Sequence, residues 1–193
     1  MIGRKLFFSW IRVTWLGWLL GIPIIIVLAL IGEAVHVGGA QFLVGAGMGA
    51  GIGLMQALVI RRILHKSVLW ICSCIVGLAA PFLVTDLSTF VGWHLPYSLP
   101  AAIGVGGLII GIWQALILRS RFRKTGWWIV ASVLGWTLAA GISALADILP
   151  RRHVLQGIWG ALAYLGIILG GGLILGIVTG LCLAWLVRSE STA

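Results

Sequence analysis

The chain has 193 residues, of which 61% are hydrophobic and 9% charged, with 28 glycines and a mean hydropathy of +1.17. Soluble domains carry about 25% charged residues, so this composition excludes a soluble globular or disordered protein and places the chain in a bilayer. The formal net charge of +9 would suit a nucleic-acid partner, but its distribution along the chain argues for membrane topology instead.

The first apolar run covers about 13–32, close to the roughly 20 residues a helix needs to cross the hydrocarbon core. Arg4, Lys5 and Arg12 precede it. Its length exceeds the 7–15 residues of a signal-peptide core, so it reads as an uncleaved first span. It carries Trp10-Ile11-x-Val13-x-x-Leu16-Gly17-Trp18, then Pro23, and ends on Glu33 with His36 just beyond. The second span, about 40–60, contains Gly49-x-x-x-Gly53-x-x-Gln56-Ala57-Leu58-x-Ile60-Arg61, with Gly45 one turn upstream and Arg62 and Lys66 after it. The third, about 68–85, opens on Trp70-Ile71-x-Ser73-x-x-Val76-Gly77, includes Pro81, and ends on Asp86. A loop over 85–99 follows, with Trp93, His94, Pro96 and Tyr97, residues suited to headgroup depth.

The fourth span, about 99–118, repeats the second without a gap as Gly107-x-x-x-Gly111-x-x-Gln114-Ala115-Leu116-x-Leu118-Arg119. Arg121, Arg123 and Lys124 lead to the fifth, about 127–146, which repeats the third as Trp128-Ile129-x-Ala131-x-x-Leu134-Gly135-Trp136 and ends on Asp147 with His153 beyond. The sixth, about 165–187, holds a weaker third copy, Gly176-x-x-x-Gly180 to Ala184-Trp185-Leu186-Val187-Arg188. The longer interval before it predicts a short interfacial helix over 151–164 anchored by Trp159, with a longer, tilted sixth span as the alternative. The expected fold is therefore all-α: a single membrane domain over 1–193, six transmembrane helices as three αα-hairpin repeats (about 8–62, 66–120 and 124–189).

Eleven of the thirteen basic residues fall at one end of these spans, and only Arg151 and Arg152 at the other. The positive-inside rule makes the basic end, with both termini, cytoplasmic. The expected partner there is a bilayer with anionic headgroups rather than RNA or DNA. Cys72, Cys74 and Cys182 lie inside spans, where residues two apart on a helix face different ways, so neither a disulfide nor a metal site is expected.

Glycines four apart let helix backbones approach where lipid removes any hydrophobic drive for association. Gly49/Gly53, Gly107/Gly111 and Gly176/Gly180 are thus the expected helix-packing residues. They point to an inner set of even-numbered spans with the Trp-bearing odd spans outside, and dimerisation through the same face is the alternative use. Gln56 and Gln114 follow on roughly the same face, which predicts a clasp between the two buried amides. Each odd span ends in a carboxylate with a histidine following: Glu33 and His36, Asp86 and His94, Asp147 and His153. Carboxylates are unfavourable at helix C-termini, so each needs a compensating partner or water. Unequal spacings argue against a metal cage, and solvated loop ends are the expectation.

Enzyme templates fail on inventory. Glu33-x-x-His36 matches half of a di-iron motif but lacks the further carboxylates, and Gly141-Ile142-Ser143 lacks the later histidine of a rhomboid protease. Neither a catalytic site nor a cofactor is expected. Mid-membrane charges of the kind that mark a polar transport route are absent from the spans. Three parallel hairpins look similar in plan to mitochondrial carriers, without the carriers' proline-and-acid motifs. The Gln114–Arg119 and Trp127–Trp136 segments resemble those of uncharacterised bacterial multipass membrane proteins in which such helices alternate. That resemblance covers about 45–140, implies a bacterial plasma or photosynthetic membrane, and transfers no functional residue. The reading is a structural or accessory subunit packing in a membrane-protein complex or homo-oligomer; the alternative is a small transporter or channel for an apolar or weakly polar solute.

Overall fold

The computed structural model describes residues 2–64, 66–93, 99–151 and 157–190, and the side chains of these except 2, 3, 145–151 and 159. They form six helices: α1 Ile2–Ala34, α2 Gln41–Ile60, α3 Ser67–Phe90, α4 Leu99–Leu118, α5 Gly126–Arg151 and α6 Gly157–Glu190. Every one is long and apolar enough to cross a membrane. The reason is the one that limits all lipid-embedded chains: backbone N–H and C=O groups must pair within the segment when no water is present.

The even-numbered α2 and α4 match the expected spans closely, each ending on the residue before an arginine, Arg61 and Arg119. The others run longer. The helix of α1 continues through Arg4, Lys5 and Arg12 to 33 residues, about 50 Å at 1.5 Å per residue. Pro23 and Pro81 lie within α1 and α3 without ending either helix.

One expectation is corrected here. Among the described residues no separate interfacial helix lies within 151–164: Arg151 ends α5, and residues from Gly157 onward belong to α6, a single helix of 34 residues. Between Gly157 and Glu190 there is no proline and no charged residue before Arg188 to break it. The longer sixth span is the arrangement adopted. Trp159 as an anchor lies outside the described side chains.

Neighbours in sequence pack as neighbours in space, and α6 packs back on α1. The helices thus form a closed six-membered ring in which even and odd members alternate. Among the described residues α2, α4 and α6 make no backbone approach to one another, so the even spans do not pack together as an inner set, although they are the more buried members of the ring. Large apolar side chains on every helix face outward, among them Ile26, Leu54, Val68, Leu116, Leu138 and Leu181. That distribution is the inverse of a soluble bundle and fits a lipid surround.

The N-terminal turns of α1, the C-terminal turns of α6 and the α4–α5 connection lie together. Arg4, Phe7, Ala184 and Arg188 line one concavity, and the Arg123 backbone N–H donates to the Glu190 carboxylate at 2.6 Å. We call this the basic end.

Candidate functional site

The centre of the ring is filled by tryptophan. Trp10 from α1, Trp70 from α3 and Trp128 from α5 are 0%, 0% and 1% exposed. They pack edge to face or tilted against one another, with ring centroids 6.0, 5.9 and 5.6 Å apart, inside the range where aromatic pairs attract beyond simple area burial.

An indole buried this deeply needs an acceptor for its N–H, and the even-numbered helices supply one each. Trp70 Nε1 donates to Gln56 Oε1 at 3.1 Å and Trp128 Nε1 to Gln114 Oε1 at 3.0 Å. Trp10 Nε1 donates to Thr179 Oγ1 at 2.9 Å. The amide nitrogens are used as well. Gln56 Nε2 donates to Thr14 Oγ1 at 3.1 Å, and Gln114 Nε2 lies 3.2 Å from both Ser73 Oγ and Cys74 Sγ. Each glutamine therefore bridges the two helices beside its own, α1 and α3 for Gln56, α3 and α5 for Gln114.

This corrects the expected clasp: Gln56 and Gln114 bind tryptophan and hydroxyl partners on odd helices, not each other. Their separation in the ring, with α3 between α2 and α4, is the reason. In the third copy Leu183 occupies the equivalent place and is fully buried, while Thr179, one turn earlier on α6, takes over as acceptor. Thr179 in turn donates to the Leu175 carbonyl at 2.6 Å.

The glycine pairs set how close these partners come. A Cβ at Gly49 would strike the carbonyl oxygen of Cys74, and one at Gly53 would lie 3.1 Å from Ile71 Cα. On α4, a Cβ at Gly107 would lie 3.1 Å from the Ser132 carbonyl oxygen, and one at Gly111 3.0 Å from Ile129 Cα. On α6, Gly176 approaches Ile11 Cα at 3.1 Å by the same measure and Gly180 approaches Trp10 Cδ1 at 3.0 Å. All six glycines thus face the next odd helix around the ring, with α6 facing α1. That face is consumed inside one chain, so dimerisation through it is not available.

Further from the basic end, Trp18 and Trp136 pack at 6.3 Å beside buried Leu78, and beyond them lies a cavity of about 250 Å³. Side chains from all six helices line it, including Trp18, Met48, Phe82, Ile103, Trp136 and Ile168. Trp18 Nε1 is buried and has no partner, a cost of about 1–3 kcal/mol for an orphaned donor.

Among the described residues the acids and histidines form no shared cluster. The Asp86 carboxylate accepts from the backbone N–H groups of Gln41 at 3.1 Å and Phe42 at 2.9 Å. It caps α2, whose own N-cap residue Ala40 makes no side-chain bond. An anion is favoured at that helix start, so this contact supplies the compensation its place near the end of α3 demands. Glu33, in the last turn of α1, and His36, in the α1–α2 turn with φ 61°, are both exposed. His94, His153 and the Asp147 side chain lie outside the described residues.

Asp86→Ala is expected to destabilise the start of α2 by about 1–2 kcal/mol. Amide exchange at Gln41 and Phe42 should rise at least tenfold, with Asp86→Asn intermediate. Unchanged protection at those two amides would remove the capping role.

Sequence reasoning missed the tryptophan triad. The signal was present: Gln56 to Trp70 and Gln114 to Trp128 are both 14 residues apart, an invariant offset between an acceptor and a donor. By fold this is an α-helical multi-pass architecture with a sealed polar core. Comparison with models of known families, with curated proteins and with solved structures finds no match for the chain.

Proposed function

We propose that the chain is a non-catalytic integral membrane subunit, built of three αα repeats closed into a ring, that acts by packing within a larger membrane assembly. In this reading both termini face the cytoplasm, because eleven of thirteen basic residues gather at their end. The observation that carries it is the saturation of the core. Trp10, Trp70 and Trp128 fill the axis, their N–H groups are all bonded, and both glutamine amides use donor and acceptor alike. The three indoles and two amides of this cluster thus spend their donors and acceptors on one another and on neighbouring hydroxyls. Such a unit has its rigidity and its exposed apolar surface to offer a partner.

Native mass spectrometry of the protein released from its own membrane in mild detergent tests this. A stoichiometric larger protein partner is the expected result, and a lone monomer would overturn the accessory role.

The cavity beyond Trp18 and Trp136 favours a second reading, a transporter or channel for an apolar solute entering from the end opposite the basic one. Solute uptake into liposomes by the wild type, lost when Ile103→Trp fills the cavity, would support it. Uptake identical to protein-free liposomes would end it.

A further inference from the structure

Five of the eleven tryptophans are buried in the core, and two others mark a different feature. Between α5 and α6 an outward-facing groove of about 430 Å³ is lined only by apolar atoms, from Trp127, Val130, Leu134, Val178, Cys182 and Trp185 among others. At its basic end the indoles of Trp127 and Trp185 meet at 6.5 Å, nearly perpendicular, and remain 61% and 41% exposed. Lys124 Nζ stands 5.6 Å from the Trp185 ring centroid. On the other flank of the same tryptophan a concavity of about 330 Å³ between α1 and α6 is lined by Arg4, Phe7 and Arg188. Lys124 thus stands against one indole where the apolar groove ends, and Arg4 and Arg188 share the concavity on its other flank.

We propose that this is a specific site for an anionic glycerophospholipid, with one acyl chain in the α5–α6 groove and the phosphate headgroup held at Lys124 beside Trp185. The occupant follows from the chemistry of the two ends. An extended peptide would leave its N–H and C=O groups unpaired in a groove with no polar lining, and a helix, which pairs its own, brings no phosphate to Lys124. An acyl chain has no such groups. Tryptophan and basic side chains at the mouth match the depth of the glycerol and phosphate, and basic pockets between membrane helices are where anionic headgroups bind. The one acid nearby, Glu190, accepts from the Arg123 backbone N–H, and its single charge against Lys124, Arg4 and Arg188 leaves the site net positive.

The inference rests on the helices crossing a bilayer, not on the accessory role. It is tested by native mass spectrometry from nanodiscs of equimolar phosphatidylglycerol and phosphatidylcholine with matched chains. Wild type is expected to retain phosphatidylglycerol at least fivefold over phosphatidylcholine, the equivalent of ~1 kcal/mol for one headgroup cation. Lys124→Gln should lower that preference about fivefold. Cys182→Phe, which fills the groove, should reduce retained lipid of both kinds. Lys66→Gln serves as the control, being an exposed cation at the same end away from the groove. Equal retention by wild type, or equal loss in Lys66→Gln and Lys124→Gln, would overturn the site. A protein partner retained without any preferred lipid would sink this inference and leave the accessory reading standing.

Discussion

Gln114→Leu is expected to destabilise the folded protein by about 2 kcal/mol, although leucine matches the glutamine closely in size and is more at home in lipid. The substitution leaves Trp128 Nε1–H without its acceptor in a site only 1% exposed. Ser73 is affected little, because it still donates to the Trp70 carbonyl at 2.7 Å. Hydrogen bonds between membrane helices average only about 0.6 kcal/mol, since the unfolded chain in lipid finds substitute partners. Here the larger value applies because Trp128 is held between Trp10 and Trp70 and cannot turn to another acceptor. Detergent-driven unfolding in bicelles measures the effect. The double variant with Trp128→Phe separates the terms: with the donor gone, loss of Gln114 should cost at least 1 kcal/mol less than it does in the wild type. A Gln114→Leu penalty below about 0.5 kcal/mol would mean that the pair contributes no more than an ordinary lipid-exposed contact. Thr179→Val, which orphans Trp10 in the same way, should behave alike.

What the sequence disclosed and what it hid follow from the range of the forces involved. Span existence depends on a local sum of hydropathy, and six helices are present where six apolar runs predict them. Their ends were less legible. Arg4, Lys5 and Arg12 continue α1 as helix because a charge at the bilayer edge ends the membrane span without breaking the backbone. Gln56 and Gln114 stood out as rare amides in an apolar chain, but their partners depend on which helices adjoin which. Ring closure by α1 and α6 is a contact across nearly the whole chain, and no local pattern encodes it. Tryptophan misled for a related reason. Its usual place in membranes is the interface, as Trp93 at 71% exposure still illustrates, and burial of Trp10, Trp70 and Trp128 is chosen only because an amide or hydroxyl waits one helix away. Asp86 read as a solvated loop end, and its capping role shows only once the start of α2 stands beside it.

Gly49→Leu is expected to prevent the ring from closing at all. Even the first carbon of a side chain at this position meets the Cys74 carbonyl oxygen, with Ile75 Cα 2.8 Å away. Both are backbone atoms that cannot rotate aside, so α2 and α3 must move apart. Separation at that level stretches the Gln56–Trp70 bond a turn or two along, and with it one edge of the triad. Gly49→Ala should accordingly cost about 1–3 kcal/mol as an overpacking change, despite alanine's better helix propensity. Gly141→Ala in α5 provides the opposite case. Its added carbon meets nothing within 4 Å, so propensity alone acts and stability should rise by up to about 1 kcal/mol. The same chemical change thus has opposite signs at two helical glycines, decided by what stands opposite. Tryptophan emission reports the difference directly, because opening the α2–α3 seam exposes Trp70. A stabilising Gly49→Ala, or one as neutral as Gly141→Ala, would show that the helices do not approach as closely as the glycine register requires. The seam, and the core that depends on it, would then need another explanation.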